Sequence, residues 1–363
     1  MVSSSAPDLV TVGGSEQERA DIQLLHDLVS IESLSRHEGS AVAFLRGAMA
    51  ARGFKILEDK AGNAVGTIGT GERHIVLLGH IDTVPGRIPV RIEDGVLWGR
   101  GAVDAKGPLA TFVAAASAAA ADLKIRVTVV GAVGEEAIHS LGATEVATWE
   151  APDFCIIGEP SNWDALCLGY RGTLSFMYRH RADMRHTAGP GESIGERAVA
   201  FWNELVREIG VWNEEATTSF ESIGPSLRSF NTSSDGLTET AELSIGLRLP
   251  PELDVPALLG RLEELAGEGE ITVDGMQEGY RTTKQSKLVP PFLRAIRAEG
   301  GKPRFKVKLG TSDMNVVGPI WKCPIAAYGP GDSTLDHTPD ERIELDEYLR
   351  AIRVLRSVLT SFS

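Results

Sequence analysis

Apolar and polar positions along the chain follow two regimes, and the boundary between them divides the protein. From Glu16 to Gly53 apolar residues recur at helical spacing. Leu24, Leu25 and Leu28 form one stripe and Val42, Leu45 and Met49 a second, with Ser30-Ile-Glu-Ser-Leu-Ser as the break between two helices. Short strands are expected at Phe54-Lys-Ile-Leu and Ala64-Val-Gly-Thr-Ile. Unbroken apolar runs follow at Ile75-Val-Leu-Leu, Val127-Thr-Val-Val-Gly-Ala-Val133 and Phe154-Cys-Ile-Ile157, the pattern of strands buried on both faces. Leu109 to Ala121 is almost all alanine and other helix-compatible residues, which predicts a buried helix.

After Gly169 the pattern changes. Leu174-Ser-Phe-Met-Tyr-Arg alternates, a helix is expected near Glu196 to Glu208, then a strand at Ala241 to Leu249. A helix from Val255 to Ala266 and a strand at Ile271-Thr-Val complete the stretch. This strand-helix-strand-helix-strand order predicts a smaller α+β domain over 169–283, inserted into an α/β, mostly parallel-sheet domain formed by 1–168 and 284–363. The parallel-sheet style returns with a helix at Pro290 to Glu299, strands at Phe305-Lys-Val-Lys-Leu and Ile325-Ala-Ala-Tyr328, and a closing helix over about Leu345 to Ser361.

Composition narrows the class. At 363 residues two domains are expected, and no apolar run of about 18 residues predicts a membrane span. Met1-Val-Ser-Ser-Ser-Ala-Pro has no basic segment followed by an apolar one, so a frayed tail is expected rather than a signal peptide. Cys155, Cys167 and Cys323 form no Cys-x-x-Cys and are expected to be reduced, buried thiols of a cytoplasmic protein. A formal charge of −14 argues against a nucleic-acid binder. One segment reverses that charge, because Arg281 to Lys308 holds nine Lys or Arg and a single acid, Glu299.

The chemistry-bearing residues collect at strand ends. His80 and Asp82 close the Ile75 strand, Glu135-Glu136 the Val127 strand, and Glu159 the Phe154 strand. Asp104 and His337 lie in loops that can reach the same edge. Ligands gather outside the carboxyl ends of strands in an open α/β sheet. Adjacent glutamates repel unless something cationic lies between them. Two histidines and several carboxylates suit a pair of divalent ions, zinc first, with Co2+ or Mn2+ also fitting. Two such ions lie about 3.5–4 Å apart and need a bridging carboxylate. Gly99-x-Gly101 is a poor dinucleotide fingerprint, since the third glycine is missing and no strand is expected to run into it.

His80-x-Asp82-x-Val-Pro, Gly99-Arg-Gly-Ala-x-Asp104-x-Lys-Gly, Glu135-Glu136, Gly158-Glu159-Pro and the late His337 together resemble the di-zinc aminoacylase family, which includes acetylornithine deacetylase, succinyl-diaminopimelate desuccinylase and carboxypeptidases. The resemblance covers nearly the whole chain. It implies that His80 and Glu159 bind one ion, Glu136 and His337 the other, and that Asp104 bridges them. It further implies that Glu135 is the general base and Asp82 orients His80. His186, in Arg185-His-Thr-Ala-Gly-Pro, matches a family histidine that completes the oxyanion site of a partner subunit, which implies a homodimer. Arg248 and Asn231 match lid residues, and Gly310-Thr311-Ser312-Asp313 resembles a loop that holds substrate carboxylate.

Three departures from the commoner deacylases narrow the resemblance. The segment between Pro85 and Gly95 is short and lacks tryptophan, Ala105 follows Asp104 where methionine is frequent, and Gly169-Tyr-Arg-Gly is present. These look most like the subgroup that releases lysine or ornithine from a small acidic amino-group carrier protein, where the amino acid's α-amino group is joined to the side chain of the carrier's terminal glutamate. Lysine biosynthesis through α-aminoadipate, or arginine biosynthesis, is implied. The basic 281–308 segment offers such a carrier a docking surface. A small-molecule deacylase, a plain peptidase and a non-catalytic metal-binding relative stay open at this point.

Overall fold

The computed structural model describes residues 14–137, 139–186 and 191–363. The expected N-terminal tail, and Thr187 to Pro190 of the His186 motif, lie outside the described residues. The chain divides into two compact units. The larger is Met1–Gly169, Thr282–Lys306 and Ser312–Ser363, and the smaller is Tyr170–Arg281 with Val307–Thr311.

The larger unit is built on one mixed sheet. Its centre is parallel, in the order Arg126–Ala132, His74–His80, Phe154–Gly158, Ile325–Ala327. Ala64–Ile68 and Lys55–Leu57 extend one side antiparallel, and Ala165–Tyr170 the other. The central strands read as continuous apolar runs because helices cover both faces. Lys106–Ala119, the expected alanine-rich helix, packs against the closing helix Leu345–Thr360. Burial of a side chain such as Phe112, fully inaccessible here, contributes about 2 kcal/mol.

Gly158 sets how closely that helix meets the strand ends. A Cβ on Gly158 would lie 2.9 Å from Phe112 Cε2 and 3.1 Å from Gly79 Cα. A side chain at Gly158 would push Phe112, and with it the helix, away from the sheet, whereas a Cβ at Gly79 would only reach ordinary contact with Leu109 at 3.6 Å. The α/β fold expected from the apolar runs is borne out.

The loops before this helix differ from expectation. Val96–Trp98 is a strand that runs into Gly99-Arg-Gly101, contrary to the sequence reading. It pairs antiparallel with Arg91–Glu93 and Arg342–Glu344 in a small separate sheet, and the third glycine of a dinucleotide loop is still missing. All three cysteines are free. Cys155 and Cys167 are buried as expected, whereas Cys323 is only partly so.

The smaller unit is a four-stranded antiparallel sheet in the order Gly224–Ser234, Thr238–Leu249, Gly172–Asp183, Glu270–Gln277. Leu174, Phe176, Tyr178, Leu243, Ile245 and Leu247 alternate onto one face, against the helices Ile194–Trp212 and Val255–Ala266. Gly224–Ser234 is an edge strand the sequence reading lacks. Its Ser, Asn and Thr content is poor in strand formers, and it is exposed along most of its length. Pairing with Thr238–Leu249 across the Asp235-Gly236 turn fixes it, and that dipeptide is the hairpin signal that reveals it.

Candidate metal centre

Parallel strands that stop at the same level deliver their next residues to one edge. In the larger unit this brings His80, Asp82, Asp104, Glu135, Glu136, Glu159 and His337 together. His80 is 1% exposed. Its Nε2 lies 3.2 Å from Asp104 Oδ1 and 3.9 Å from Glu159 Oε1. The other ring nitrogen, Nδ1, lies 3.0 Å from the Asp82 carbonyl oxygen and 3.5 Å from its carboxylate. A ring anchored at Nδ1 leaves Nε2 aimed at the cluster. On the opposite side, His337 Nε2 lies 3.0 Å from Asp104 Oδ2 and 2.9 Å from Glu136 Oε1.

Three sets of donor atoms each lie within 4.8 Å of one another: His80–Asp104–Glu159, Asp104–Glu136–His337 and His80–Glu135–Glu136. The first two share Asp104, one oxygen toward each histidine. These residues could hold metal ions, and the donor chemistry fits them.

Asp82 does two things. Besides flanking His80, its carboxylate accepts the amide N–H of Glu135 and of Glu136, both at 3.1 Å, and the Ser35 hydroxyl at 2.7 Å. It therefore ties the glutamate turn to the His80 strand. Burial alone would raise its pKa, but the contacts with His80 and Ser35 and the amide donor outweigh that, and Asp82 is held below the usual carboxylate value.

The rest of the cluster is short of positive charge. Glu135 is raised well above its usual value by burial, with Asp313, Glu159 and Glu136 adding to the rise against the cation of His80. His337 is pushed up to about 10 by its bonds to Asp104 and Glu136. Carboxylates this concentrated, with two imidazoles among them, form a site that bound cations would relieve.

Two acids around the cluster escaped the sequence reading. Glu341 is fully buried. One carboxylate oxygen accepts the amides of Val103 and Asp104, both at 3.0 Å, and the other accepts from Arg100 at 2.7 Å. It holds the loop that presents Asp104. Its signal is its place four residues after His337 on the same return segment. Asp313 is 2% exposed, and burial, with Glu159 and Asp82 nearby, lifts it to about 7. Gly310-Thr-Ser-Asp313 lies between the strand Arg304–Lys308 and the helix Asp313–Trp321, a strand-to-helix turn that is itself a signal for a site acid. Ser312 is the N-cap of the helix Asp313–Trp321, its hydroxyl accepting from the Met314 amide.

The remaining predicted residues are not in this cluster. His186 is exposed just past the end of the Gly172–Asp183 strand, Asn231 stands on the exposed edge strand, and Arg248 near the end of its neighbour, all in the smaller unit, as is Thr311.

Residues 76–361 match the model of peptidase family M20/M25/M40. A protein of Deinococcus radiodurans called [LysW]-lysine hydrolase is 47% identical over 347 residues, covering 93% of this chain and 96% of that one. A putative [LysW]-lysine/[LysW]-ornithine hydrolase of Thermococcus kodakarensis is 39% identical, covering 93% and 91%. Among solved structures, a tripeptidase from Staphylococcus aureus superposes with a TM-score of 0.78 at 18% identity, over 95% of this chain and 98% of that one. The family resemblance drawn from the five motifs is borne out.

Proposed function

The chain belongs to peptidase family M20/M25/M40, and from that premise we propose that it is a metal-dependent amidohydrolase that releases lysine or ornithine from the terminal glutamate of an acidic amino-group carrier protein. The observation that carries the chemistry is the pair of donor sets sharing Asp104 beside the half-buried acid Glu135. The substrate class is supported by the relatives named for [LysW]-lysine and [LysW]-ornithine hydrolysis.

In this reading His80, Glu159 and the shared Asp104 would hold one divalent ion, and Glu136, His337 and Asp104 the other, with Zn2+ preferred and Co2+ also suited. Such a pair would supply Lewis-acid polarisation of the amide carbonyl and a more acidic water. Glu135 accepts the proton of the attacking water on a carboxylate oxygen and returns it to the departing amine nitrogen. Asp82 keeps the His80 ring and the Glu135 turn in register. His186 serves as an oxyanion donor within a homodimer, for which the smaller unit is the lid and dimerisation domain. Arg248, Asn231, Thr311 and Ser312 are assigned to substrate carboxylate, and the enzyme acts in the cytoplasm. Among the described residues no helix is long and apolar enough to cross a membrane.

The basic segment supplies the docking surface. Lys284, Lys287, Arg294, Arg297 and Lys302 are exposed with no recorded ion pair, whereas Arg304 is engaged by Asp164 and Lys306 donates to Asn162. Among the described residues these five cations have no recorded acid partner, although Lys284 lies over the Phe305 ring at 5.1 Å, and on an otherwise acidic protein they favour an acidic partner.

Incubating the metal-loaded enzyme with carrier conjugates of lysine and of ornithine, and following release by mass, tests the reading. Loss of one amino-acid residue from the carrier is expected. Turnover of N-acetyl-lysine with no release from either conjugate would point to a small-molecule deacylase instead.

A further inference from the structure

The face of the smaller unit's sheet that its helices leave open carries a second arginine, apart from Arg248, in a seat built for it. Gly224–Ser234 pairs with Thr238–Leu249 in regular register except at one place. Leu227 opposes Ile245 and Ser229 opposes Ser244, so Arg228 is the extra residue of a bulge. Bulges re-aim side chains. The Arg228 side chain crosses the neighbouring strand above Gly246, and its Nη1 donates to Ser175 Oγ at 3.0 Å on the strand beyond. A Cβ on Gly246 would lie 2.6 Å from Arg228 Cζ and Nε, so any side chain there would displace the guanidinium from this position.

Arg248 stands two residues along that same strand, opposite Thr173, while Ser175 is opposite Gly246. Side chains two apart on a strand share a face and sit roughly 7 Å from each other. The two cations sense each other, since Arg248 is held below its usual value by burial and then by the charge of Arg228. Behind them Arg171 is buried and donates to the carbonyls of Ser222 at 2.6 Å and Arg248 at 2.9 Å, which fixes the Arg248 backbone and adds a third positive charge. Among the described residues no carboxylate is recorded in contact with Arg228 or Arg248. Arg179, on the same face, shows the contrast, because Glu242 neutralises it at 2.8 Å.

Like charges gathered without counter-charge cost free energy unless an anion completes them. We propose that Arg228 and Arg248 form a two-guanidinium site that takes a ligand with two carboxylates several bonds apart, each fork holding one. Resting on the carrier-conjugate reading, this names what the site distinguishes. An amino acid joined through its α-amino group to a terminal glutamate side chain carries two free carboxylates, one on either side of the amide. An N-acetyl amino acid carries one.

The test is calorimetric titration of the full-length, metal-loaded protein in a Glu135→Gln background, which blocks turnover. The probes are γ-glutamyl-lysine linked through the lysine α-amino group, with two carboxylates, and Nα-acetyl-lysine, with one. Arg228→Met should weaken γ-glutamyl-lysine binding by about 10- to 100-fold, the range for hydrogen bonds to charged groups, and acetyl-lysine binding far less. Arg228→Lys, which keeps the charge but loses the fork, should fall between, and Gly246→Val, which fills the seat, should mimic Arg228→Met. Arg179→Met should change neither affinity. Equal losses for both probes, no loss for either, or no binding of γ-glutamyl-lysine before mutation would overturn the site. The carrier reading is scored separately, by lysine release from the conjugate with Arg228 and Glu135 intact. No release together with a selective Arg228→Met loss would sink the carrier reading and leave the site standing.

Discussion

The two units carry opposite electrostatic debts. In the larger one, carboxylates from three strand ends and two loops are packed at a partly buried edge with too few cations, and Glu135 and Asp313 are pushed up by their surroundings. In the smaller one, Arg228 and Arg248 stand on a sheet face where, among the described residues, no acid is recorded beside them, unlike their neighbour Arg179, which Glu242 neutralises. The first arrangement suits metal ions and bond cleavage. The second suits the anionic groups of a ligand.

The sharpest break of this contrast is at Glu135. Glu135→Gln removes a proton acceptor but keeps the shape, so kcat should fall by about 10²- to 10⁴-fold with bound metal unchanged. Loss of metal along with activity would make Glu135 a ligand rather than a base.

Next in size is Glu341, which ties the Asp104 loop. Glu341→Ala leaves the amides of Val103 and Asp104 and the Arg100 guanidinium without their acceptor, at a cost of about 3–5 kcal/mol. Metal affinity should drop by about 10- to 100-fold, as for supports of metal ligands elsewhere. Chemical denaturation and a competitive chelator titration measure the two effects. Unchanged metal affinity in the folded variant would confine Glu341 to stability.

Charge reversal on the basic segment tests whether recognition is separable from chemistry. Replacing Lys287, Arg294, Arg297 and Lys302 with Glu should slow association with the carrier conjugate by about tenfold or more at low salt, with the gap closing as salt rises. An equal fall in turnover of a small acyl-lysine would show that these residues are not a docking surface.

The smallest effect concerns the sheet beneath the cluster. Burial, and then the charge of Arg126, holds His74 down to about 4 from 6.5. The unfolded chain takes up this proton near 6.5 and the folded one resists until about 4. Stability is therefore full above 6.5 and declines as pH falls toward 4. His74→Gln should flatten that part of the stability–pH curve, and an unaltered slope would assign the loss to other groups.

The larger unit was readable in the sequence because its strands are continuous apolar runs that end in the residues that matter. His80, Glu135 and Glu159 each announce themselves at the close of such a run, and the shared edge follows from the topology. Glu341 and Asp313 were not legible in the same way. Their role lies in contacts across the fold, with backbone amides and neighbouring acids, which no local pattern encodes. In the smaller unit the helix-covered face was legible from its alternation, but Gly224–Ser234 was not, because an exposed edge strand has no buried face to impose one. The seat of Arg228 depends on a bulge and on the glycine of an adjacent strand, which only pairing reveals.

The central claim is that two cations share Asp104. The direct measurement is to strip the protein with a chelator, reload it with zinc, remove the excess and count metal per chain by mass spectrometry, alongside an Asp104→Ala variant verified as folded. Two ions per chain, falling to one or none in the variant, is the predicted result. A single ion in the unmodified protein, or two retained without Asp104, would contradict it.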